Sequence, residues 1–192
     1  VLTHSLQVDP APTQCNMVQD VFGNTRTFFS LPFTHEQLRV RAESLLETLP
    51  VPAAPPGEPW EAVRERLSYR RGQPYHAATE FSFASPYIPR HADFVAYAAE
   101  SFAPGRPLMQ AASHLMSRIH ADFAYTANAT DAGTPALESL RLRRGVCQDF
   151  AHVMIGCLRS LGLAARYVSG YLLTEPPPGQ PRLVGSDASH AW

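Results

Sequence analysis

At 192 residues, 45% apolar and 17% charged, the chain has the length and composition of a folded protein and not of a disordered segment. Its net charge of −1 excludes the basic face that non-specific nucleic-acid binding needs, and no apolar run reaches the length of a membrane span. Three cysteines (Cys15, Cys147 and Cys157) are too few, and odd in number, for a disulfide framework, so a free thiol and a reducing, cytoplasmic setting are expected.

Residues 1–50 read as a β-rich N-terminal region. Leu2, His4, Leu6 and Val8 alternate with polar residues, and Pro10 and Pro12 end that strand. Val21-Phe22-Gly23-Asn24-Thr25-Arg26 predicts a two-residue hairpin turn with glycine first, as in type II′, and the chain returns through Thr27 to Leu31. Leu38, Val40 and Ala42 alternate with Arg39, Arg41 and Glu43, the pattern of a half-buried antiparallel strand. Residues 51–92 read as a proline-rich linker and a short helix. Pro52, Pro55, Pro56, Gly57 and Pro59 make the linker, and Trp60, Val63 and Leu67 stand at helical spacing.

Residues 93–192 read as the core domain, truncated at its C-terminus. A short helix is expected near 92–102. Pro107 suits the first position of a helix on which Leu108, Ala112, Leu115, Met116, Ile119 and Phe123 follow a 3.6-residue period. Thr134-Pro135 opens a short helical segment with Leu137 and Leu140. The next helix follows Cys147, carries Phe150, Val153, Met154, Cys157, Leu158 and Leu161, and is closed by Gly162. Ala165 to Thr174 reads as a strand, and Leu183-Val184 and Ala188 to Trp192 as further strand material. Helices first and strands later indicate an α+β fold.

Cys147 stands between a glycine turn and the start of a helix. Unpaired N–H groups and the positive end of the helix dipole favour a thiolate there, and the Cys147 N–H suits an oxyanion on a bound carbonyl. An imidazole would complete the pair and protonate the leaving amine, and His190 in Ser189-His190-Ala191-Trp192 is the candidate. The competing reading of any lone cysteine is a small buried hydrophobe, which suits Cys15 and Cys157. His152 is five residues along the same helix and is expected to point elsewhere; His114 and His120 read as structural. No Cys-x-x-Cys or His-x-x-x-His pair supports a metal site, and no cofactor is implied.

Three runs in order carry a resemblance: Arg144-Gly145-Val146-Cys147-Gln148-Asp149-Phe150-Ala151-His152, Leu158 to Tyr171, and Asp187-Ala188-Ser189-His190-Ala191-Trp192. Together they resemble the transglutaminase-like superfamily, most closely its bacterial, cysteine-protease-like branch. Residues 2–46, with Asp20-Val21-Phe22-Gly23-Asn24, resemble the β-rich region that precedes the core in that branch. The resemblance implies a papain-like α+β core of helices packed on an antiparallel sheet. It also implies Cys147 as nucleophile and His190 as general base and acid. The aspartate that orients the imidazole is expected on the strand after the histidine, beyond Trp192; neither Asp187 nor Asp149 is assigned that role. The implied activity is attack on an amide or peptide bond through a thioester, with hydrolysis preferred. The alternatives are acyl transfer to an amine and a non-catalytic binding module on the same fold. The expected partner is a peptide or protein substrate, with no nucleic acid or membrane, and the oligomeric state is open.

Overall fold

In a computed structural model the described residues are 1–50, 57–172, 178–179 and 189–192. The chain divides into two units, Val1–Ala53 and Ala54–Trp192.

The first unit is two antiparallel ladders. Strand β1 (Thr3–Asp9) pairs with β4 (Arg39–Leu45), from Thr3 opposite Leu45 to Asp9 opposite Arg39, and β2 (Gln14–Gln19) pairs with β3 (Thr25–Ser30). The β2–β3 turn is not the two-residue form expected. Gln19 pairs with Thr25, and the Asp20 carboxylate accepts the Phe22 and Asn24 N–H groups, each at 2.9 Å. Gly23, at φ +83°, then closes the loop by donating its N–H to the Asp20 carbonyl at 3.0 Å. An aspartate that captures backbone N–H groups competes with any turn defined by glycine position alone. The Asn24 N–H leads the contacts that hold the Asp20 carboxyl below its ordinary pKa.

The half-buried reading of residues 38–43 also needs correction. Every residue of β4 is exposed, and Val40 keeps 49% of its surface. Alternation marks a face able to be buried; a two-stranded ladder has no second layer of its own to bury it. Cys15, expected to be buried, is exposed on β2 for the same reason.

The second unit holds the core. Its helices are α1 (Trp60–Leu67), α2 (Ala92–Ala98), α3 (Leu108–Asp122), α4 (Ala136–Leu142) and α5 (Cys147–Ser160). Among the described residues, two short pairs of strands accompany them. β5 (Ala124–Tyr125) runs parallel to β6 (Arg144–Gly145), and β7 (Ser169–Tyr171) runs antiparallel to β8 (Ser189–Ala191). A 3₁₀ turn at Ala77–Ser82 lies within the stretch read as linker and short helix. Trp60 and Ile88, from residues read as linker and short helix, belong to the same apolar cluster as Phe94, Leu115, Ile119 and Val153. Tryptophan is too large an apolar body to leave in a solvated linker: Trp60 packs edge-on against Phe102 at 5.6 Å and donates its indole N–H to the Ala103 carbonyl.

α3 starts one residue later than expected, with Pro107 as its N-cap. Its buried stripe is Ala111, Leu115 and Ile119, while Met116 is 56% exposed. These three positions recur every four residues, the narrow row along which one helix meets a neighbour.

α5 is the centre of the unit and packs against α2, α3, α4 and β8. Gly156 lets α2 come close: a Cβ there would stand 2.8 Å from the Phe94 ring, which is fully buried. The helix ends as Gly162 predicts. Gly162, at φ +82°, donates its N–H to the Arg159 carbonyl and Leu163 donates to Leu158, the paired bonds of a Schellman close.

The strand expected over 165–174 is shorter, and residues 173 and 174 lie outside the described residues. Ala165 is held by the 3₁₀ segment instead of a ladder, its N–H donating to the Phe81 carbonyl at 3.0 Å. The Arg159 guanidinium donates to the Phe81 and Ala165 carbonyls and to Ser85 Oγ, so a buried cation ties these segments to α5. Leu183, Val184, Asp187 and Ala188 also lie outside the described residues.

Candidate active site

Cys147 is the first residue of α5, half-buried, with Val146 as the N-cap. The backbone leading to it is held from two sides. Thr126 donates its N–H to the Gly145 carbonyl at 2.8 Å, and Ala124 donates to the Arg143 carbonyl at 2.9 Å. From inside the helix, Asp149 accepts the Val146 N–H at 2.8 Å, a satisfied orphan donor of the first turn.

Asp149 is 1% exposed and accepts two further hydrogen bonds, from Thr130 Oγ1 at 2.6 Å and Ser139 Oγ at 2.8 Å. Its carboxylate is therefore occupied by three donors. This accounts for Gly145: a Cβ at that position would stand 2.4 Å from Asp149 Oδ2. The Arg-Gly-Val-Cys-Gln-Asp run is thus one device in which glycine leaves room for the aspartate and the aspartate fixes the turn before the cysteine. Gln148 donates its amide to the Ala132 carbonyl at 3.2 Å, which secures the loop on the other side.

His190 is the middle residue of β8, opposite Gly170. Trp192, two residues on and so on the same face, has its ring centroid 6.4 Å from the imidazole. The indole lies over Gly170, where a Cβ would meet Trp192 at 2.9 Å. Glycine at 170 thus leaves room for the tryptophan ring, tilted 39° to the imidazole. β8 packs on α5, the helix that Cys147 opens. Among the described residues no hydrogen bond joins Cys147 to His190.

The other cysteines differ from Cys147 in ways that matter chemically. Cys157 is fully buried, and burial pushes its thiol up to about 12, which makes it inert at neutral pH. Cys15 is exposed within strand β2 and does not open a helix.

His152, five residues along the helix from Cys147, is expected to point elsewhere. It is 9% exposed and lies between two tyrosine rings, Tyr87 at 6.5 Å and Tyr167 at 5.3 Å. Its Nδ1 is buried without a hydrogen-bond partner among the described residues. Burial lowers its pKa from the ordinary histidine value; nearby Asp149 opposes that fall and Arg159 adds to it. Tyr167 is pushed up, first by burial and then by the charge of Cys147. A five-residue step turns about 140° around a helix, so spacing alone separates His152 from Cys147. The Tyr167 ring that packs on His152 comes from beyond the helix, and no local pattern announces it.

A groove of about 640 Å³ lined by Glu65, Arg66, Tyr69, Tyr75 and His76, among others, contains neither Cys147 nor His190. Among the described residues, no group of three or more His, Cys, Asp or Glu side chains is placed to hold a metal ion. No described helix is long and apolar enough to cross a membrane.

Comparison with known proteins gives the context for this geometry. Residues 95–192 match the transglutaminase-like superfamily core, and residues 1–47 match the bacterial transglutaminase-like N-terminal region. Uncharacterized proteins of Mycobacterium tuberculosis and Mycobacterium bovis are 43% identical over 198 residues, covering all of this chain and 61% of their own length. An uncharacterized Mycobacterium leprae protein is 29% identical over 195 residues, covering all of this chain and 66% of its own length. The chain thus spans about three-fifths of the mycobacterial relatives that it matches at 43% identity. In fold it is similar to a crystal structure described as a putative cysteine protease from Cytophaga hutchinsonii, with a TM-score of 0.66 at 19% identity over 99% of this chain and 60% of that one. With its core and its N-terminal region both matched, the α+β chain belongs to the transglutaminase-like superfamily.

Proposed function

We propose that the protein is a cysteine-nucleophile enzyme that opens amide bonds in peptides or proteins through a thioester. The observation that carries this reading is the placement of Cys147. It is the first residue of a buried helix, on a backbone immobilised by Asp149, with the strand of His190 packed on the same helix.

In the reaction, the Cys147 sulfur bonds to the carbonyl carbon and the carbonyl electrons move to oxygen. The N–H groups of the helix start face that developing negative charge. When the C–N bond breaks, the amine departs with a proton from the His190 imidazolium, leaving a thioester. Water then attacks with its proton passing to His190, the C–S bond breaks, and the acid and the free thiol are restored. An amine in place of water gives an exchanged amide by the same steps. Asp149 is occupied within the helix start, so this reading gives it no part in orienting His190.

Hydrolysis is the preferred outcome. Cys147 is only half-buried, and an acyl-enzyme open to solvent meets water far more often than amine unless water is excluded. Full-length protein incubated with a glutamine peptide and a labelled amine should release ammonia and accumulate glutamate, with little amine incorporated. Incorporation exceeding hydrolysis would reverse that preference in favour of acyl transfer.

A further inference from the structure

We propose that Trp192 is a positioning residue for His190: its indole, seated in the space that Gly170 leaves, confines the imidazole to the rotamer that serves Cys147. This rests on the reading of His190 as the base of Cys147, and it gives a role to two residues which that reading leaves unused.

The placement follows from the ladder. β7 and β8 set Gly170 directly opposite His190, and cross-strand partners point to one face. Any side chain at position 170 would therefore stand beside the imidazole. Glycine has none, and the Trp192 indole takes that space: a Cβ at 170 would stand 2.9 Å from Trp192 Cζ3 and 3.5 Å from Cη2. Trp192 reaches it from the same face of β8 as His190, two residues on. Its backbone is fixed on both sides, its carbonyl accepting the Val168 N–H at 2.8 Å and its N–H donating to the Val168 carbonyl at 2.9 Å. Burial does not explain the ring, because Trp192 keeps 51% of its surface. Its neighbours are Gly170 and the His190 imidazole.

An imidazole on a strand has three staggered wells at χ1 and a broad, two-fold χ2. The indole stands 6.4 Å from the imidazole, centroid to centroid, and is tilted 39° to it, within the range of packed aromatic pairs. It closes the swing toward residues 170 and 192. β8 packs on α5, the helix that Cys147 opens, so the imidazole is confined on a strand docked against the nucleophile's own helix. The effect is one of population: a base spread over three wells occupies the productive one about a third of the time. A residue acting in this way touches no reacting atom and works only through the histidine.

The test is a double-mutant cycle in the full-length protein. It is read as the rate of iodoacetamide labelling at Cys147 by peptide mass spectrometry, with unlabelled Cys157 as the sign that the core is folded. In mildly acidic buffer, where the thiolate depends on its imidazole partner, Trp192→Ala should label about threefold more slowly than wild type, and Trp192→Phe should recover most of the rate. The difference should vanish in alkaline buffer, where a thiol ionises unaided. Gly170→Ala, whose Cβ displaces the indole, should slow labelling as Trp192→Ala does and add nothing to it. His190→Ala should be slower still, and adding Trp192→Ala to it should cost nothing further. Trp192→Ala labelling like wild type, or slowing the His190→Ala protein by the same factor, would overturn the proposal while leaving the Cys147–His190 pair. Lost ammonia release from a glutamine peptide with labelling unchanged would also overturn it, by placing the indole on the substrate. His190→Ala labelling like wild type in acidic buffer would remove both readings.

Discussion

Replacing Cys147 with alanine should abolish turnover of any amide substrate the protein accepts, a loss on the order of 10⁴-fold or more, as for removal of other covalent nucleophiles. Serine at the same position should do no better, since a hydroxyl at a helix start ionises far less readily than a thiol. Folding should be untouched. Cys147 is only half-buried and lies outside the apolar cluster, so the variant should unfold at nearly the same temperature as wild type. The measurement is ammonia release from a glutamine peptide alongside a thermal melt. Residual activity within about tenfold of wild type would place the chemistry on another residue, because nothing else at the helix start can form an acyl-enzyme.

The second large effect is expected at Asp149, and it falls on stability. Asp149→Ala strands three donors at once, the Val146 N–H and the Thr130 and Ser139 hydroxyls, and Ser139 is itself fully buried. Unsatisfied buried donors together with the lost helix cap should cost about 3–5 kcal/mol in the second unit. Asp149→Asn should be far milder, about 1 kcal/mol, because the amide oxygen can keep Val146 and Thr130 while its NH₂ donates to the Ser139 hydroxyl. Chemical denaturation followed by loss of helical signal reads both variants. Equal destabilisation by alanine and asparagine would mean that the negative charge, and not the pattern of hydrogen bonds, does the holding. Since this carboxylate fixes the turn before Cys147, alanine should also slow Cys147 labelling in the fraction that remains folded.

The core was legible in the sequence where one signal governed the outcome. Gly162 closes α5 with the bonds its position predicts, and the helix starts at Cys147 because the glycine turn and Asp149 act within a few residues of each other. The turn at Asp20 was not legible from glycine placement, because the carboxylate of a neighbour captured the backbone first. Burial of the N-terminal strands was not legible either: alternation at Leu38, Val40 and Ala42 describes a face, and burial depends on a covering layer that no local pattern encodes. For the candidate site, Cys147 and His190 stand out by motif. The packing of His152 on Tyr167 does not, because it joins a helix to a segment beyond it, and only folding brings those rings to 5.3 Å. The same holds for Gly170, whose missing side chain makes room for the indole beside His190.

The most direct measurement of the central claim compares two thiols in one molecule. Cys15 is exposed on strand β2; Cys147 is half-buried and opens α5. Accessibility alone would have Cys15 react first. In mildly acidic buffer, limiting iodoacetamide followed by peptide mass spectrometry should find Cys147 modified at least about tenfold faster than Cys15, with Cys157 unmodified. Cys15 reacting first, or the two reacting at equal rates, would contradict an activated thiol at position 147.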